Sequence, residues 1–263
     1  TQASFDELAF LRLWHDWATD AARPTHLHVV AHTVQPLQAD ALLSAVAAHP
    51  ELLPLAQQLA DECWGLLPGM HRLRFALAGE HHTNAEPSQV SDARVMLTLC
   101  VGTHEDWPEF ADVLRAHSIG PCTPPVDAPA LNARTVTLIG SGIAGAGTAR
   151  ALAERGWQVT VLDAGHAPAA GASGLPVGVI APHTSHDDSA VSRLTRAGVR
   201  LMRHTLQTWL TEGTDWSPTG VLERRLPGKT RRGGVPLSWL NEHAEVAQDW
   251  THKAPPPAPD DAY

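Results

Sequence analysis

The feature that most restricts the fold of this chain is a glycine pattern, Gly140-Ser141-Gly142-Ile143-Ala144-Gly145, between two apolar runs of different character. Thr135–Ile139 is β-branched and reads as a strand, and Ile143–Arg155 is alanine-rich and reads as a helix stopped by Gly156. Gln158–Leu162 alternates as a second strand and ends at Asp163. Glycine-rich hexamers arise by chance and can be turns that bind nothing. One that leaves a strand, opens a helix and meets an acid at the end of the next strand has the form of a dinucleotide turn. Gly140 permits the tight turn, Gly142 lets backbone approach a pyrophosphate, and Gly145 lets helix and strand pack closely. The helix start offers N–H groups and a positive dipole end to phosphate. Asp163 would accept hydrogen bonds from ribose hydroxyls, which favours FAD or NAD over NADP. The candidate cofactor residues from the turn are therefore Gly140, Ser141, Gly142, Ile143, Ala144, Gly145 and Asp163.

The chain has 263 residues, room for one large domain or two small ones. The proline-rich stretch Gly120–Asn132 is the clearest seam, dividing a domain at 1–119 from one at 133–263 across a linker at 120–132. Before it, helical spacing marks Phe5–Trp17, Asp40–Ala48, Glu51–Trp64 and Glu109–His117, and strands are expected at Leu27–Ala31, Arg72–Leu77 and Arg94–Val101. After the βαβ unit come a short strand at Val177–Ala181 and a long helix from about Ser189 to Leu210. The fold class is α/β.

No run approaches the ~18 apolar residues of a membrane helix, and the first residues lack the basic and apolar regions of a secretory signal. Cys63, Cys100 and Cys122 form neither a disulfide framework nor a zinc knuckle, so reduced thiols and a cytoplasmic setting are expected. His183, His186, Asp187 and Asp188 fit no established metal spacing, and no metal is expected. A start at Thr1 and the acidic, proline-rich tail Ala254–Tyr263 suggest a fragment or processed product.

The net charge of −9 argues against broad nucleic-acid affinity while allowing local basic patches. Arg193, Arg196, Arg200 and Arg203 make one stripe on the long helix, with Leu194, Leu201 and Leu206 available for a buried side. The stripe reads as a solvated face or as an anion-binding one. Arg224, Arg225, Lys229, Arg231 and Arg232 form a second basic cluster. Trp14, Trp64 and Trp209 fall in helical patterns and are expected in the core, whereas Trp216, Trp239 and Trp250 could pack, or stack on a base or flavin ring.

The run from Val136 to Gly178, with Gly171-Ala172-Ser173-Gly174 after its second strand, resembles the FAD-dependent, D-amino-acid-oxidase-like oxidoreductases. That resemblance implies FAD and adds Ser173 and Gly174 to the cofactor residues. Leu27–Leu37, His49–Leu52 and Leu67–Leu73 resemble the methyltransferase half of the bifunctional tRNA 5-methylaminomethyl-2-thiouridine biosynthesis family. Its other half is such an oxidoreductase, joined in this order. The architecture implied is a partial Rossmann-like methyltransferase module followed by an FAD-binding Rossmann βαβ module, the oxidoreductase part cut short. The activity implied is oxidation of a carboxymethylaminomethyl group on the wobble uridine of tRNA, leaving an aminomethyl group that the family methylates with S-adenosylmethionine. Three residues-level departures concern that methylation: Thr1–Phe10 holds no glycine, Thr33 stands where an acid is needed, and no Asp-Gly-Phe-Ala-Pro-type segment follows Val95–Gly102. S-adenosylmethionine is thus implied by family alone. A flavin oxidase of small amines or amino acids, or a non-catalytic nucleotide-binding remnant, are the alternatives. No catalytic acid or base can be nominated.

Overall fold

The computed structural model describes residues 5–24, 26–75, 94–103, 134–185, 187–222 and 244–251. The proline-rich seam, the expected helix Glu109–His117, His186, Cys122, Trp239 and the basic cluster from Arg224 to Arg232 lie outside them. Two compact units are present: residues 1–115 with 181–263, and residues 116–180. The segment after 180, grouped by sequence with the dinucleotide unit, therefore packs with the first unit.

In the first unit, helix α1 (Glu7–Thr19) starts where the Asp6 carboxylate accepts the Ala9 N–H at 2.9 Å. Phe10, Leu11, Trp14 and Trp17 recur on one face and are buried. Strand β1 (His26–Thr33) is followed by helices α2 (Ala39–Ala45) and α3 (Leu53–Asp61), the latter opening with Pro54 in its first turn. Strands β2 (Gly69–Phe75) and β3 (Arg94–Val101) complete a sheet of order β1-β3-β2. β3 pairs parallel to β1 and antiparallel to β2. Val95, Leu97, Leu99 and Val101 of this central strand share one face and are buried with α1 and α3. Trp14 and Phe75, 4.6 Å apart between ring centres, link α1 to that face.

The second unit is the βαβ element. β4 (Thr135–Ile139) and β5 (Gln158–Leu162) pair in parallel from Thr135↔Gln158 to Ile139↔Leu162. Helix α4 (Ile143–Ala153) crosses between them, and Gly156, at φ +77°, turns the chain back. The strand expected at Val177–Ala181 is not formed. That stretch is irregular, with Val177 78% exposed, and no described strand lies alongside to complete a ladder.

Helix α5 (Ala190–Trp209) belongs to the first unit and packs against β2. A last short helix, α6 (Ala244–Ala247), sets Ala247 and Trp250 against Leu67. No helix among the described residues is long and apolar enough to cross a membrane.

Candidate dinucleotide site

All nine candidate cofactor residues fall in the second unit, and the fold brings them to one end of the β4–β5 pair. Gly140 leaves β4 at φ +101°, a backbone that L side chains rarely adopt, and its N–H donates to the Leu162 carbonyl at 2.7 Å. Gly142 is the N-cap of α4. A Cβ on Gly145 would fall inside the contact distance of the Gly140 carbonyl oxygen, so only glycine lets helix and strand approach this closely.

Asp163 closes the turn from the end of β5. Its Oδ2 accepts the Ser141 N–H at 2.6 Å and the Ser141 hydroxyl at 2.8 Å, and its Oδ1 accepts the Gly165 N–H at 2.7 Å. The Ser141 N–H, then the Gly165 N–H and the Ser141 hydroxyl, hold this carboxyl below the usual carboxylate range. A carboxylate has about four lone-pair sites, and these bonds take three. Oδ1 keeps room for one further donor, such as a ribose hydroxyl. Asp163 thus anchors the glycine turn.

Ser173 and Gly174 stand on a 3-10 turn, Ala172–Gly174. The Ser173 hydroxyl accepts the Ile143 N–H at 2.9 Å, and the Ala169 N–H donates to the Ser141 carbonyl at 3.2 Å. Sequence reasoning missed Gly165 and Ala169. Asp163-Ala164-Gly165 carries an Asx-turn signal that could have found the first. Ala169, at φ +61°, has no signal, because alanine gives no hint of a left-handed backbone. Its carbonyl lies so close to Gly174 that a Cβ there would overlap it. The residues present fit a dinucleotide: a helix N-terminus, a glycine-cleared face and an acid with one acceptor position open.

The arginine stripe requires correction. Arg196 and Arg200 face inward on α5, each 2% exposed, while Leu194, expected inside, is 73% exposed. Arg196 forms a two-pronged pair with Asp188, at 2.5 and 2.8 Å. Arg200 donates to the Glu62 carboxylate at 3.0 Å, to the Glu62 carbonyl at 3.1 Å and to the Trp64 carbonyl. Its guanidinium carbon lies 4.0 Å from the Trp64 ring centre. Acceptors in the first unit turn the helix this way, and neither arginine can present charge to tRNA. Arg193 is partly buried and Arg203 exposed over Trp64. Trp209, expected in the core, is partly exposed. Trp250 packs on Trp64 and donates its indole N–H to the Gly65 carbonyl at 2.7 Å, which settles packing over stacking for that residue. His183 supports the start of α5, its Nδ1 lying 3.1 Å from the Ser192 hydroxyl.

Residues 135–253 match the family described as FAD dependent oxidoreductase. Along the whole chain the similarity is to curated proteins called tRNA 5-methylaminomethyl-2-thiouridine biosynthesis bifunctional protein MnmC. The protein of Polaromonas sp. strain JS666 is 36% identical over 320 residues, covering 93% of this chain and 47% of its own length. That of Albidiferax ferrireducens is 37% identical over 302 residues, covering 88% and 49%. That of Verminephrobacter eiseniae is 36% identical over 328 residues, covering 94% and 50%. The chain spans about half the length of the curated relatives it matches. The aligned stretches exceed its 263 residues, so these relatives hold positions with no counterpart here. Over some nine-tenths of its length the chain is similar to the MnmC proteins, and its residues 135–253 match the FAD dependent oxidoreductase family.

Proposed function

We propose that the second unit holds FAD and that the chain serves the oxidative step of tRNA wobble-uridine modification. The observation that carries this is the Gly140–Asp163 turn: a helix N-terminus with Gly142 at its cap, closed by an acid that keeps one acceptor position free. The match of 135–253 to FAD-dependent oxidoreductases supports FAD over NAD, and the similarity to MnmC supports tRNA as the substrate.

Gly140, Ser141 and Gly142 with the first residues of α4, Ile143, Ala144 and Gly145, would hold the pyrophosphate through backbone N–H groups. Asp163 Oδ1 would accept an adenosine ribose hydroxyl, and Ser173 and Gly174 would lie along the phosphate and ribityl part. When bound, FAD supplies two-electron oxidation of a C–N bond, taking a hydride from carbon. In the substrate proposed, the methylene between the amine and the carboxylate gives up that hydride. The resulting imine adds water and splits, leaving an aminomethyl group on the uridine and the two-carbon fragment as an aldehyde. The protein's share is orientation and exclusion of competing reactions.

Methylation is not proposed for the first unit. A cofactor ribose would need an acid at the end of β1, where Thr33 is buried and donates its hydroxyl to the Gln35 carbonyl at 2.7 Å. For tRNA, Arg203 and the cluster Arg224, Arg225, Lys229, Arg231 and Arg232 are proposed as phosphate contacts, in a cytoplasmic setting.

The test is the visible absorption spectrum of the purified chain after incubation with excess FAD and desalting. Retained flavin is the expected result, and a colourless protein would refute the cofactor assignment. Turnover on tRNA bearing the carboxymethylaminomethyl group, with none on free glycine derivatives, would separate this reading from a small-molecule oxidase.

A further inference from the structure

Residues 190–251 lie within the stretch that matches the oxidoreductase family, yet they pack with residues 1–115. The hydrogen bonds that join them to the first unit span 136 to 185 positions of sequence. Polar groups match across this contact. Arg200 donates to the Glu62 carboxylate and to the Glu62 and Trp64 carbonyls. Gly65 uses both sides of its backbone: its N–H donates to Asp249 Oδ2 at 2.6 Å, and its carbonyl accepts the Trp250 indole N–H at 2.7 Å. Gly65 sits at φ +58°, and a Cβ there would overlap the Trp250 indole, so glycine is what admits that ring. Apolar surface completes the contact. Ala247 and Trp250 close on Leu67, and the Trp250 ring lies 4.8 Å from that of Trp64.

We propose that residues 62–69 are a docking site for the oxidoreductase segment 190–251, and that holding this segment is the work of the first unit. The partner such a surface fits is a helix with a buried guanidinium near its centre, followed by an Asp-Trp pair. The segment arrives with part of its charge already matched. Arg196 is paired with Asp188 inside it, so it is Arg200 that takes its carboxylate from the dock. The acceptors of the dock are fixed, because two of the three carbonyls and the N–H belong to the backbone of Trp64 and Gly65. A seam and a separate compact unit stand between the two parts in sequence. The contact is therefore a noncovalent association that one chain happens to carry, and it holds whether or not flavin binds.

The experiment cuts the folded whole chain at a protease site introduced within residues 120–132 and follows the two pieces by gel filtration over a dilution series. From the natural chain the pieces should elute together. Asp249→Ala should weaken their association roughly tenfold, and Arg200→Ala roughly a hundredfold or more. Leu194→Ser, on the outward face of α5, should leave it unchanged. Pieces of the natural chain that separate on cutting would overturn the dock. Asp249→Ala pieces that hold as tightly as the natural ones would overturn it too, and this variant keeps the test open should Arg200→Ala fail to fold. Release by Leu194→Ser would mean that the leucine face of α5 makes the contact, which also overturns the proposal.

Discussion

Replacing Arg200 tests how the first unit is held together. The side chain is 2% exposed, and its guanidinium satisfies the Glu62 carboxylate and two backbone carbonyls while lying against Trp64. Burial lifts the Glu62 carboxyl above its ordinary range even with Arg200 beside it, and burial also pulls Arg200 down. Both directions say that desolvation outweighs the attraction within the pair. Arg200→Ala would then leave one carboxylate and two carbonyls without their donor. Breaking a buried pair from one side costs about 3–5 kcal/mol. The cation–π contact lies within that figure rather than adding to it. For a domain of this size the loss corresponds to roughly 10 °C in melting temperature. Removing both charges should behave differently: Arg200→Met with Glu62→Leu removes the stranded carboxylate and should restore part of the lost stability, the Glu62 and Trp64 carbonyls still lacking their donor. Urea unfolding followed by tryptophan fluorescence is a direct assay, since Trp64 and Trp250 flank the guanidinium. A loss below ~1 kcal/mol for Arg200→Ala, or a double variant as unstable as the single one, would refute the reasoning.

His71 supplies a pH dependence. Burial, with the Arg200 charge nearby, pushes its pKa from 6.5 down to about 3, and its Nε2–H donates to the Leu67 carbonyl at 2.7 Å. The unfolded chain therefore takes up a proton that the folded one refuses. Stability should be full above pH 6.5 and fall toward pH 3, at up to ~1.4 kcal/mol per pH unit. Glu62 acts in the opposite sense and is present in both chains compared, so His71→Gln should flatten the acid limb of a urea–pH profile; an unchanged limb counts against this. In the glycine turn, Gly145→Ala sets a Cβ against backbone that cannot rotate away, so about 1–3 kcal/mol of the βαβ unit and all flavin retention should be lost. Gly142→Ala meets only the Ser173 hydroxyl, and it should leave the thermal melt near natural while weakening FAD in a fluorescence titration. A reversed order between these two would mean the turn is misplaced. Burial pushes the thiols of Cys63 and Cys100 up to about 12, leaving roughly one part in ten thousand as thiolate at pH 8. Peptide mapping after iodoacetamide should find both unmodified in the native chain and both modified in urea; native labelling of either would contradict its burial.

The second unit was legible because its signals are local. The bounds of β4 and β5 follow from short β-branched runs, and the glycine positions follow from backbone that must turn, cap or approach within a few residues. Ser173 was found only through family resemblance, since its contact with Ile143 spans thirty positions and leaves no periodic trace. Helix α5 shows the same limit from the other side. Its existence and length follow from its periodicity, but a charged stripe and an apolar stripe on one helix do not say which is inside. That depends on what waits opposite, and here Glu62, Asp188 and the Trp64 carbonyl wait there. An arginine goes inward when carboxylates and carbonyls in the fold can replace its water, and leucine on the opposite face is then left in solvent. Val177–Ala181 failed for the matching reason: alternation of apolar residues proposes a strand, but a parallel strand forms only where a neighbour offers its ladder. In this chain local sequence dictates turns and elements, while partners distant in sequence decide which faces carry chemistry and which carry the core.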